Sequence, residues 1–165
     1  MRKIIILLLM PVLAFSQIEK GRKMIGGSMS FYNDKLQRTF SFQPQFGYFL
    51  SPRFVVGTGV ILQTSKIKFA ITPTNLTTLS FTPFMRYYVA TKKVNPFIQF
   101  GGIFATTLTK TDKTFPNRTA LNLGVGNTLF LNKNVALDFT VSYNYWLKGT
   151  LNNGINSGIG LQIFW

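Results

Sequence analysis

Every second residue from Ile155 to the last position of the sequence is large and apolar, with one exception: Ile155, Ser157, Ile159, Leu161, Ile163, Trp165. The residues between them are Asn156, Gly158, Gly160, Gln162 and Phe164, mostly small or polar. A period of two is a strand with one apolar face and one wet face. A final strand this apolar, ending on an aromatic residue, is expected where the outer face of a barrel meets lipid.

The same period recurs upstream. Ile25, Met29 and Phe31 oppose Gly26, Ser28 and Ser30. Phe40, Phe42, Pro44, Phe46, Tyr48 and Leu50 oppose Ser41, Gln43, Gln45, Gly47 and Phe49. Further sets are Phe54, Val56, Val60, Leu62 and Leu79, Phe81, Met85, Tyr87, Val89. Two more are Leu121, Leu123, Val125, Leu129 and Val135, Leu137, Phe139, Val141, Tyr143, Tyr145. The stretch from Phe97 to Thr107 is apolar on both faces. Short turns are expected at Ser51–Arg53, Ala90–Asn95 and Asn132–Asn134. Longer connections are expected at Asn33–Arg38, Ser65–Thr77, Lys110–Arg118 and Lys148–Gly154, which makes eight strands. The short turns start at similar spacing along the chain, a weak internal repeat of two strands plus two connections.

Alternation does not say which face points inward. Three further features do. Arg86 and Asp138 are nearly alone as mid-strand charges on the polar face, and only 13% of the chain is charged, where a soluble surface runs to ~25% or more. The pairs Gly57/Gly59, Gly124/Gly126 and Gly158/Gly160 all fall on the polar face, as a crowded interior requires. Aromatic residues collect near strand ends, Tyr48 and Tyr87 toward the short turns, Tyr143 and Tyr145 toward the longer connections, like the two girdles of a membrane barrel. The polar face is therefore expected inside and the apolar face against lipid. Pro44 and Pro83 remove ladder donors near mid-strand, and a bulge or local bend is expected at each.

The N-terminus supplies a route to such a membrane. Met1-Arg2-Lys3 precedes an apolar run from Ile4 to Phe15, and Ala14-Phe15-Ser16 is a cleavage site before Gln17. That run is too short to span a bilayer as a helix and reads as a secretory signal peptide over residues 1–16. Residues 17–165 are expected to form one barrel domain with both termini in the periplasm. With no other long apolar run, a membrane crossing has to be made by strands.

The leader, the eight alternating stretches, Gly47-Tyr48-Phe49-Leu50 before Ser51-Pro52-Arg53, Pro83-Phe84-Met85-Arg86-Tyr87-Tyr88 and the terminal Ile163-Phe164-Trp165 resemble the small outer-membrane β-barrel proteins of Gram-negative bacteria, of OmpX and OmpA type. The resemblance covers 19–165. It implies an all-β, eight-stranded, antiparallel up-and-down transmembrane barrel in the cell outer membrane. It also implies outer-membrane lipid and the barrel-assembly machinery as partners, with Ile163, Phe164 and Trp165 as the assembly signal.

The chemistry is constrained by what the sequence lacks. It contains no His and no Cys, and only four acidic residues: Glu19, Asp34, Asp112 and Asp138. A serine nucleophile at neutral pH needs a partner base, and glycoside hydrolysis needs two well-placed carboxylates. An enzyme is therefore not expected, nor is a metal or any other cofactor. Arg86 and Asp138 fall on inward faces at similar depth and are expected to form a lumenal ion pair, with Tyr88 or Gln162 completing the hydrogen bonds; a charged constriction in a pore is the alternative. The net charge of +14 invites a nucleic-acid reading, but the leader and the scatter of basic residues among the connections oppose it. Attraction to anionic lipid head groups fits those residues. The glycine pairs do not extend to a phosphate-binding pattern. The triplets Asn75-Leu76-Thr77 and Asn117-Arg118-Thr119 carry no function. An eight-stranded barrel is just wide enough for side chains to fill. The expected role is thus non-enzymatic: a monomeric structural or surface-interaction protein with a side-chain-filled lumen, its surface ligand unknown. The alternatives are a narrow, porin-like channel for small polar solutes and a soluble secreted barrel around an apolar ligand.

Overall fold

The computed structural model describes residues 19–33, 37–67, 74–90, 93–108, 118–148 and 153–165. The expected signal peptide lies outside them. Eight strands follow in chain order: β1 (Lys23–Asn33), β2 (Gln37–Ser51), β3 (Phe54–Ile67), β4 (Thr74–Tyr88), β5 (Val94–Leu108), β6 (Arg118–Phe130), β7 (Val135–Lys148) and β8 (Gly154–Phe164). Each pairs antiparallel with its sequence neighbour, and β1 pairs with β8 to close the barrel. Among the described residues no helix is long and apolar enough to cross a membrane, so the strands are the only spanning elements.

Several strands run further than their apolar alternation does. β2, β3 and β4 extend into stretches expected to be connections, with Gln37 opposite Ile67 and Lys66 opposite Asn75. The residues there are Thr, Ser and Gln, whose side chains can bond across the sheet; Thr39 Oγ1 lies 3.1 Å from Ser65 Oγ. The β1–β2 connection shrinks to residues 34–36, as short as a turn. The strand ends that flank 68–73 and 109–117, the longest connections, lie at one end of the barrel, the long-loop end. At the opposite end, Asn132 Oδ1 accepts from the backbone N–H groups of Asn134 and Val135, both at 2.8 Å, and sets the β6–β7 turn.

Of the bulge or local bend expected at Pro44 and Pro83, the bulge does not form. The β2–β3 ladder lapses between Phe42↔Leu62 and Gln45↔Gly59, and the β4–β5 ladder between Phe81↔Phe104 and Phe84↔Gly101. Both resume in the same register, so each proline loses local pairing without inserting a residue. Glycine lets a neighbour come close at each. A Cβ at Gly27 would sit 3.0 Å from Pro44 Cα, and one at Gly101 would sit 2.7 Å from the Pro83 carbonyl oxygen. Register shifts occur instead at Phe49/Ser51 and Thr119/Ala120.

The apolar face is outside. Phe40, Leu62, Phe81, Phe100, Leu123, Val141 and Leu161 are all exposed on the wall, while the core is the set of inward residues near the short-turn end. β5 reads apolar on both faces because Phe97, Ile103 and Ala105 point inward; the last two pack with Ala120 and half-buried Trp146.

Candidate functional site

The short-turn end of the lumen is crossed by packed aromatic side chains. Five rings form a continuous chain across it, each from a different strand: Phe97 (β5), Tyr88 (β4), Phe49 (β2), Phe164 (β8) and Phe130 (β6). Centroid separations along that chain are 5.8, 5.9, 6.0 and 4.9 Å, with Phe49 and Tyr88 stacked at 17°. Met24, Val55 and Ala136 fill the gaps, all fully buried. Such contacts combine large apolar burial with favourable ring geometry.

Arg86 and Asp138 sit on this floor, 2% and 3% exposed. Arg86 Nη1 donates to Asp138 Oδ2 at 2.6 Å and to Tyr88 Oη at 3.1 Å. Arg86 Nε and Nη2 donate to Gln99 Oε1 at 3.0 and 2.9 Å. Asp138 also accepts from Thr128 Oγ1 and, at 3.2 Å, from Gln162 Nε2. The guanidinium carbon lies 3.9 Å from the Phe97 ring centre, a cation–π contact in a dry setting. Charge, hydrogen bonds and ring contacts thus link β4, β5, β6, β7 and β8 at one level. Both Tyr88 and Gln162 take part, one on each side of the pair.

Glycines give this floor its room. A Cβ at Gly57 would lie 2.6 Å from the Phe84 ring, and one at Gly126 would lie 2.5 Å from the Phe97 ring. The chain ends close the barrel beneath. Lys23 N donates to Trp165 O at 2.8 Å and Trp165 N to Lys23 O at 3.1 Å. Arg22 Nη2 and Asn134 Nδ2 both donate to Phe164 O, at 3.3 and 2.7 Å. Of the expected assembly signal, Ile163 and Trp165 face outward and Phe164 is buried in the floor. Tyr48, Tyr87, Tyr143 and Tyr145 all stand on the outer wall.

Above the floor the described residues leave the lumen open, where a side-chain-filled interior was expected. A cavity of about 1270 Å³ rises toward the long-loop end. Its inward side chains include Ser41, Gln43, Gln63, Asn122, Ser142 and Asn144. These are too short to meet across the barrel, whereas the Phe, Tyr and Arg of the floor do. Among the described residues of its lining, Arg86 and Asp138 are the charged ones, already paired, and Arg118 is bonded to Thr107 Oγ1 further up the lumen. Among the described residues no group of three or more His, Cys, Asp or Glu side chains comes together.

Of the floor aromatics the sequence points to Phe164 and Tyr88, in other roles, and not to the floor itself, yet a signal is there. Phe49, Phe84, Tyr88, Phe130 and Phe164 each occupy the otherwise polar phase of a strand, toward its short-turn end, whereas Phe97 lies on β5, which is apolar on both faces. A large ring in the wrong phase marks where the lumen is plugged.

No protein-family model and no curated protein matches the sequence. Solved structures do match in architecture. OprG of Pseudomonas aeruginosa is 13% identical with a TM-score of 0.61, covering 92% of this chain and 99% of that one. The N-terminal β-barrel domain of Pseudomonas aeruginosa OprF is 16% identical with a TM-score of 0.59, over 88% and 98%. Ail of Yersinia pestis, in a phospholipid bilayer nanodisc, is 14% identical with a TM-score of 0.59, over 88% and 100%. The chain has the eight-stranded outer-membrane β-barrel fold. An outer-membrane β-barrel turns its apolar wall to lipid, which accounts for the exposed Phe, Leu and Val of every strand. It also accounts for the scarcity of mid-strand charge that the sequence shows.

Proposed function

We propose that this outer-membrane barrel is a non-enzymatic, non-conducting protein whose work is done at its long-loop face, as a structural or surface-interaction element. The floor carries this reading. Phe97, Tyr88, Phe49, Phe164 and Phe130 cross the lumen ring to ring, with the Arg86–Asp138 pair locked among them. A solute entering from the long-loop end meets a dead end, so the cavity is a vestibule, not a pore. The short turns put the floor on the periplasmic side and the vestibule toward the cell exterior. Arg38 and Lys66 are cross-strand neighbours near the long-loop rim, exposed on the outer wall, and suit an anionic surface. The sequence has no His or Cys to activate a nucleophile, and Asp138, the one buried carboxylate among the described residues, already has an arginine partner.

Single-channel recording on refolded protein in planar bilayers tests the reading. A closed baseline is expected for the native chain. Steady conductance, altered by Arg86→Ala or Asp138→Ala, would instead establish a narrow channel. A deletion strain scored for surface adhesion and membrane integrity tests the role at the outer face.

A further inference from the structure

The barrel is closed unevenly. β1 and β8 pair only over Met24–Ser28 against Gly160–Phe164. Above that point Met29–Asn33 still pair with β2, and Gly154–Ile159 with β7, but not with each other. The seam is therefore split over the long-loop half of the wall. Among the described residues the three most exposed large apolar ones all flank this split: Ile155 at 76%, Met29 at 70% and Ile159 at 62%. Asn156 and Gly158, which alternation turns inward, are exposed as well, and a Cβ at Gly158 would meet nothing within 4 Å.

Two spaces meet at the split. On the outer wall, at its foot, lies an apolar groove of about 600 Å³, bordered by Ile25, Met29, Phe42, Leu137, Ile159 and Leu161. On the inner side lies the vestibule, whose lining reaches Ser28 on β1 and Asn156 on β8. The groove faces the hydrocarbon of the bilayer. Among the described residues the vestibule's lining presents hydroxyls and amides; Arg86 and Asp138 are paired, and the inward guanidinium of Arg118, on β6 away from the split, is bonded to Thr107 Oγ1. Strand edges left open inside a membrane also expose backbone N–H and C=O groups, which hydrocarbon cannot satisfy. A polar head group at that level can.

We propose that the split between β1 and β8 is a lateral binding site for a membrane-borne, single-chain amphiphile with an uncharged, hydroxyl-rich head. The acyl chain lies in the outer groove against Met29, Phe42 and Ile159. The head enters the vestibule between Ser28 and Asn156 and bonds the open strand edges. Chemistry selects this occupant: an apolar trough outside, uncharged hydrogen-bonding side chains (Ser28, Gln43, Asn156) on the inner side of the split, and a gap joining them. The site does not depend on the floor being closed.

The test uses an alkyl glucoside carrying a diazirine on its chain, added to the protein in phosphatidylcholine nanodiscs, with crosslinks mapped by peptide mass spectrometry. Labelling at Met29 and Ile159 is expected to exceed that at Leu62 and Leu123, outward residues elsewhere on the wall, at least fivefold. Continuing the β1–β8 register puts Met29 opposite Ile159, and the chain has no cysteine of its own. Oxidised Met29→Cys/Ile159→Cys should therefore zip the seam and reduce labelling at Phe42 and Leu161 to the Leu62 level, with recovery on reduction. Gly158→Trp, which fills the gap without a crosslink, should act in the same direction. Heat-modifiable gel mobility verifies that each variant is folded. Even labelling around the barrel, or labelling at Phe42 and Leu161 indifferent to both variants, overturns the proposal. So does equal labelling by an alkyl phosphate of the same chain length, or a dimer in native mass spectrometry that excludes the glucoside.

Discussion

Asp138→Ala should destabilise the barrel far more than its place on a strand would suggest. The substitution removes the 2.6 Å ion pair with Arg86 and the acceptor for Thr128 and Gln162. It leaves a guanidinium only 2% exposed, held by Tyr88 and Gln99 but without a counter-charge. Removing one partner of a buried pair costs about 3–5 kcal/mol, because the other charge stays buried. Replacing both with apolar residues of similar volume is often neutral. The double variant Arg86→Met/Asp138→Leu should therefore recover at least about 2 kcal/mol relative to Asp138→Ala. The assay is equilibrium urea unfolding in lipid vesicles, followed by tryptophan fluorescence and gel mobility, with free energies from linear extrapolation. A loss below about 1 kcal/mol for Asp138→Ala would refute the reasoning, since it would mean that the floor is wet enough to solvate Arg86. Additive losses in the double variant would refute it equally, since they would show no coupling across the pair.

Other consequences are open to the same unfolding assay or to expression measurements. Gly57→Val and Gly126→Val should each cost about 1–3 kcal/mol by forcing a side chain into the Phe84 or Phe97 ring. Gly158→Ala, which meets nothing within 4 Å, should fall within about 0.5 kcal/mol of the native chain. Leu123→Arg, on the exposed mid-wall of β6, should cost about 2–4 kcal/mol in lipid, whereas the same change on a water-facing surface would be neutral. A chain ending at Phe164 should reach the outer membrane at reduced levels while unfolding, once inserted, much as the native barrel does. Normal outer-membrane levels of that chain would remove Trp165 from the assembly signal.

The parts of the fold that could be read from sequence are those set by the two-residue period. The count of strands and the sharing of a face by Phe40 to Leu50 or Val135 to Tyr145 follow from alternation, and the outward direction of that face from the sparse mid-strand charge, the glycine pairs and the strand-end aromatics. The strand ends did not, because past the hydrocarbon the selection for alternation ceases while backbone pairing continues, as between Lys66 and Asn75. The meeting of Arg86 with Asp138 was legible as two charges at equal depth on inward faces. The aromatic floor was less so, since Phe49 and Phe164 look like lapses in alternation until the strands are wrapped into a ring. The split at β1–β8 leaves no mark in composition. It depends on where pairing stops, and residues 29–33 and 154–159 read as ordinary strand.

The account rests most heavily on which face of each strand meets lipid. Single cysteines introduced one at a time at positions 141 to 144 of β7, in a chain that has none, test this directly. In phosphatidylcholine nanodiscs a charged maleimide should label Ser142→Cys and Asn144→Cys, which line the vestibule, and spare Val141→Cys and Tyr143→Cys, which face the acyl chains. Labelling of 141 and 143 with protection of 142 and 144 would contradict the account, because the apolar wall would then face water.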